Sequence, residues 1–330
     1  MVNLRLRQSL VLVSLIVAAP AVAGEPIPAK PGLPDLQHDY ADLKPLAQFL
    51  VGETADWVQF TKGAVWVGAS GPFAVHQIDR DRNRDIAQVN LPGAACAGLA
   101  AGFGSLWVPL CGDKPALARI NLKTYRLSVL PIGPAAAEGG IAASLDSLWL
   151  VTDSSGSLAR IDPQKGTIRQ TVTLPAGSFN PIFSDGVIWV SCFAGNTVTA
   201  IDARSGRLLG SVTVGPHPRF LTAGAGSIWT LNQGDGTVSR IDSKRRRLTA
   251  TIALGLPGPG GDIAFADGRV WVTMSGVPLT LIDAATNRPL RQWVGPGGDS
   301  LRVDHRTVWL TDYKAGTVSR IVPWNQRGIP

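Results

Sequence analysis

At 330 residues, 45% hydrophobic and 17% charged, the chain can bury a large core, either as one long all-β domain or as two ordinary ones. Its formal charge of +7 falls by two if Arg5 and Arg7 leave with a leader, and its one dense basic run, Lys244 to Arg247, sits in an expected turn, so no nucleic-acid partner is expected. The Cys/His spacing of a zinc site, a C-x-x-C-H haem site, a G-x-G-x-x-G opening a helix and a G-x-S-x-G elbow are all missing, which sets aside the chemistries they serve.

From the N-terminus, Arg5 and Arg7 precede the apolar run LVLVSLIVAAPAVA, which closes on Ala21, Val22 and Ala23. This is the pattern of a secretory signal peptide over residues 1–23, cut after Ala23. No later stretch approaches the ~20 apolar residues that a membrane span needs. The mature chain is therefore expected to be periplasmic or secreted, without a transmembrane segment, and monomeric. Residues 24–44 are Pro-rich and without period, as in an extended arm or linker.

Residues 45–330 are organised by a repeat. Trp66, Trp107, Trp149, Trp189, Trp229, Trp271 and Trp309 follow one another at spacings of 41, 42, 40, 40, 42 and 38 residues. Each copy runs through a short apolar segment, a tight Gly/Asp turn, a stretch such as SLWLV, a polar loop, a stretch such as SLARID, another turn and an alternating run such as TIRQTVTLP. Those are four short strands, A to D, with no useful helical periodicity. Such units must stack to bury both faces, and seven of them make a seven-bladed β-propeller of four-stranded antiparallel blades. The last copy lacks its D strand, and Pro45 to Val51 is expected to supply it and close the ring.

The phrase W-x-x-x-x-x-G-x-[VL]-x-R-I-[DN], preceded by GFGS or TAGAGS, resembles the streptogramin B lyase-like and YVTN-repeat propeller superfamily over residues 45 to 322. The resemblance implies, for the lyases, a catalytic His two residues before strand A in two successive blades, with Glu and Mg²⁺ nearby. Here those positions hold Arg219 and Gly261, with His217 two residues early. The general base of that elimination is thus missing.

Strand A lines the channel, and the D–A and B–C loops share one face, where a pocket is expected. The candidate rim residues are Asp56, Asn180, His217, Arg219, Asp299 and Asp312. Asp56, Asp299 and Asp312 lie on neighbouring blades and could share Ca²⁺ or Mg²⁺, or simply face solvent. Arg219 could hold an anionic group or pair with a rim Asp; His217, between two prolines, could be catalytic or an exposed loop residue. Two functions follow. One is an exported binding or scaffolding propeller that recognises a small molecule, glycan or protein at the channel mouth; the other is a metal-assisted lyase or lactonase-like hydrolase acting on a small cyclic substrate. Of the three cysteines, Cys96 and Cys111 are expected to bridge, because a hairpin turn pairing Gly102 with Ser105 sets them opposite each other; the alternative is three small apolar fillers.

Overall fold

The computed structural model describes residues 31–304 and 307–323. The expected leader, residues 1–23, lies outside the described residues. The described chain forms seven antiparallel sheets, each built on a four-stranded order. In blade 1 the strands are Thr54–Thr61, Ala64–Ser70, Ala74–Asp79 and Arg84–Asn90, from the axis outward. The other blades repeat this order, so the structure is the seven-bladed all-β propeller that the Trp spacing predicts.

The repeated phrase is a set of cross-strand contacts. Trp107, Trp149, Trp229 and Trp309 stand directly opposite Arg119, Arg160, Arg240 and Arg320 on strand C. Each guanidinium lies over its indole, at 5.2, 5.4, 4.6 and 5.7 Å from the ring centroid. The Nε–H of Arg119, Arg160 and Arg240 also donates to Ser105, Ser147 and Ser227, the Ser of each G-S-x-W or D-S-x-W segment. The Asp or Asn that ends the phrase accepts two backbone N–H groups of the C–D turn, as Asp242 does from Lys244 and Arg245. All seven blade Trp are at most 1% exposed. They fill the space between blades, and replacing one by Ala would cost about 3–5 kcal/mol.

The ring closes as expected: Ala47–Leu50 pairs antiparallel with Thr317–Ile321 as the outer strand of blade 7, and Phe49 stacks on Trp309 at 6.1 Å. The described part of the Pro-rich segment expected as an extended arm or linker, residues 31–44, packs against the ring. Gln37–Asp39 adds a parallel fifth strand to the outer edge of blade 6, and Gly32 and Leu33 are hydrogen-bonded to Gly255 and to the buried Gln292 side chain.

Cys96 and Cys111 form a disulfide with Cα atoms 5.7 Å apart, and Cys192 is a buried free thiol. The register beneath the bridge differs from the simple hairpin. Gly102 faces Ser105 and Ala100 faces Trp107, but farther out Ala94 faces Cys111. Strand A is interrupted between Ala95 and Ala100, the ladder slips by two residues, and the bridge joins diagonal positions.

Candidate functional site

Antiparallel blades send every D–A and B–C loop to one face. There a funnel of about 830 Å³ opens, its wall drawn from the first, second, third, sixth and seventh blades. Asp56, Glu138, Asp299 and Asp312 line it, with Phe73 and Tyr313 at its rim. One residue farther along strand A the chain lines a second, narrower space of about 230 Å³, walled by Trp57, Asn180, Phe220, Asp262 and Arg302.

A bulge sets the floor of the funnel. Asp56 faces Gly68 and Val58 faces Val67, leaving Trp57 unpaired with φ at 56°, a backbone region that a bulky aromatic residue seldom occupies. Consecutive residues, a carboxyl and an indole, thereby both turn to the axis. The Trp57 ring lies 6.1 Å from Phe220. Blades 1 and 5 are not neighbours, so this contact crosses the channel.

Asp56 accepts the Trp57 N–H at 2.6 Å and shares a side-chain hydrogen bond with Asp299. Burial, then the charges of Asp299 and Glu138, hold Asp56 well above the usual carboxylate range. Burial pushes Asp299 up to about 6 against the stabilising bond from Asp56, with the charges of Asp262 and Asp312 adding to the rise. Glu138 is raised to about 7, first by burial and then by Asp299, with Arg219 opposing. The funnel floor is thus a hydrogen-bonded carboxyl pair with a third carboxyl that titrates near neutrality. Such groups can hold a proton, release one, or receive a cationic or hydrogen-bond-donating ligand.

The six residues expected at the rim divide into three groups. Asp56, Asp299 and Asp312 do line one funnel. Asn180 and Arg219 brace its far wall, where Asn180 Nδ2 and Arg219 Nε donate to the Glu138 carbonyl at 3.3 and 3.2 Å. Arg219 also donates to the Ala137 carbonyl and lies 4.5 Å over the Phe179 ring. It therefore positions the Glu138 loop instead of pairing with a rim aspartate. His217 is exposed, away from the funnel, stacked on Phe193 at 4.3 Å. Among the described residues no three His, Cys, Asp or Glu side chains converge as metal ligands, so the placement of Asp56, Asp299 and Asp312 adds no support to the alternative in which they share Ca²⁺ or Mg²⁺. Asp56 and Asp299 meet, whereas Asp312 lies against Gly297, where an added Cβ would sit 2.7 Å from its Oδ2.

Asp262 is the acid that the strand-A alignment undervalues. At 4% exposure it accepts hydrogen bonds from Ile263 N–H, Ser300 Oγ–H, Leu301 N–H and Arg302 Nη1–H. This anchor ties blade 6 to blade 7 directly beneath Asp299. Its signal in the sequence is the phrase GPGGD, present at residues 258–262 and again at 295–299.

No protein-family model matches the chain, and no curated protein sequence matches it. Solved structures match its fold. A structure described as streptogramin B lyase superposes with a TM-score of 0.70 at 17% identity, covering 84% of this chain and 96% of that one. BamB from Moraxella catarrhalis superposes with a TM-score of 0.62 at 10% identity, covering 85% and 99%. The computationally designed Ika8 protein gives 0.64 at 13% identity, covering 84% and 99%. Likeness at these identities is a likeness of fold.

Proposed function

We propose that this chain is an exported binding propeller whose channel-mouth funnel takes a small molecule, or the tip of a glycan or protein, that presents a cation or several hydrogen-bond donors. The observation that carries this reading is the carboxyl set of Asp56, Asp299 and Glu138 at the base of an ≈ 830 Å³ funnel, braced by Asn180 and Arg219 on the Glu138 loop. The disulfide and the expected leader support export, and the propeller neighbours support a binding or scaffolding role. The test is a thermal-shift screen of amines, amino sugars and basic peptides at pH 7.5, followed by titration of each hit into Asp299→Asn. Hits should stabilise the wild type and lose at least tenfold in affinity in the variant. Hits that bind both proteins equally would place the site elsewhere.

A second reading, a hydrolase or lyase acting on a small cyclic substrate, is favoured by the Asp56–Asp299 hydrogen bond. A carboxyl pair raised toward neutral pH can divide into general acid and general base. Turnover of a lactone panel that is abolished by Asp299→Asn would choose this reading over binding alone.

A further inference from the structure

Cations cluster on the face opposite the funnel. The A–B and C–D turns emerge opposite the acidic funnel, and on the fourth, fifth and sixth blades in succession the C–D turns project Arg204, Arg207, Lys244, Arg246, Arg247 and Arg288, all exposed, beside an exposed Asp185 and Asp267 in the A–B turns. Arg245 is held by Asp242 at 3.0 Å, whereas the side chains of Lys244, Arg246 and Arg247 make no hydrogen bond or ion pair with any described residue.

Two further features set these turns apart from ordinary solvated ones. Leu208 and Leu248 follow Arg207 and Arg247 directly and are 49% and 41% exposed; Ile168, at the equivalent position of blade 3, is 47% exposed. These residues face Ile201, Ile241 and Ile161 on strand C, so the apolar rim recurs in register along three blades. In addition, Arg246 has φ at 52°, at a turn position that Asn83, Tyr125 and Asn287 occupy in blades 1, 2 and 6 at 50°, 56° and 58° and that Gly166 and Gly206 occupy in blades 3 and 4 at 69° and 74°. The N–H groups of Tyr125, Gly166, Gly206 and Arg246 make the same 2.8 Å bond to the first carbonyl of their turns. In blade 5 this left-handed corner, which glycine fills without strain in blades 3 and 4, carries a cation at the exposed tip of the turn.

We propose that this turn face docks on an anionic phospholipid bilayer. The Lys and Arg side chains meet lipid phosphates while Leu208 and Leu248 enter the boundary between headgroups and acyl chains. The occupant is chosen by the alternation of cations with aliphatic side chains; a surface for single-stranded nucleic acid interleaves its cations with aromatic rings on which bases stack. This inference is independent of what the funnel binds.

Vesicle flotation of the full mature chain tests it, with phosphatidylcholine alone and with about a quarter phosphatidylglycerol, at about 0.05 and 0.5 M salt. The wild type should partition at least tenfold better onto the anionic vesicles at low salt. Arg246→Glu should lower that by about tenfold, whereas Lys114→Glu, the same charge change in a B–C loop of the opposite face, should stay within about twofold. Arg246→Gly should melt at a higher temperature yet partition several-fold less, a combination that a purely structural residue would not give. It also keeps the test decisive if the glutamate variant folds poorly. Equal partition onto neutral vesicles, or equal losses in Arg246→Glu and Lys114→Glu, would overturn the proposal. Tighter binding to heparin or a single-stranded oligonucleotide than to anionic vesicles at the same salt would overturn it in favour of a soluble polyanion.

Discussion

Replacing Asp299 by Asn should stabilise the protein at neutral and alkaline pH. The folded state raises this carboxyl from 3.8 to about 6. At ~1.4 kcal/mol for each tenfold change in proton affinity, that corresponds to about 3 kcal/mol. Asp299 lies on the wall of an open funnel, and solvent screening reduces the effect to about 1–2 kcal/mol. Asn keeps the shape and its Nδ2 can donate to Asp56, so no buried partner is orphaned. The folded protein holds its proton at a pH where the unfolded chain has lost it, so the wild type gains stability as pH falls from about 7 toward 4. The advantage of Asn should therefore be full above pH 7 and vanish near pH 4. Thermal denaturation across that range should show the variant melting about 2–4 °C higher at pH 8 and level with the wild type at pH 4. A variant less stable at pH 8, or equally shifted at both pH values, would refute the protonated carboxyl pair.

Arg302→Met should cost about 3–5 kcal/mol, because it leaves the buried Asp262 carboxylate without its guanidinium; chemical denaturation would measure it, and a loss below about 1 kcal/mol would contradict the anchor role. Truncation after residue 52 should strip the outer strand from blade 7 and destabilise the ring sharply, whereas removing residues 24–40 should cost only a few degrees of Tm from the lost pairing along blade 6. Cys111→Ser should lose up to about 3 kcal/mol, the entropy of a loop whose ends are 15 residues apart, and native-state alkylation should leave Cys192 unmodified while peptide mapping finds Cys96 joined to Cys111.

The blades were legible because their determinants are local and repeated: a Trp facing an Arg, a Ser beneath its Nε–H, an Asp closing the next turn. Packing of that kind writes itself into spacing. The correct disulfide pair was reached through a register that holds only near the turn, since the two-residue slip before Ala100 leaves no mark in a chain of small residues. The funnel was less legible because its members meet across blades. Asp56 reaches Asp299 through a bulge at Trp57, and Arg219 spends its donors on backbone carbonyls some 80 residues away in the chain, at separations of 81 and 82. Alignment on strand A ranked Gly261 over Asp262, although the acid one step later is the one that binds the neighbouring blade.

The Trp57 indole, held across the axis against Phe220, stands in the way of a ligand passing from the funnel into the narrower space beyond it. A molecule that settles on the carboxyl floor and is too large to pass Trp57 would leave by the mouth, beside Phe73 and Tyr313. Anything large that seats itself over that opening would slow arrival and departure alike. Occupancy would then depend on order: guest first and cover second retains the guest, whereas the reverse order keeps it out.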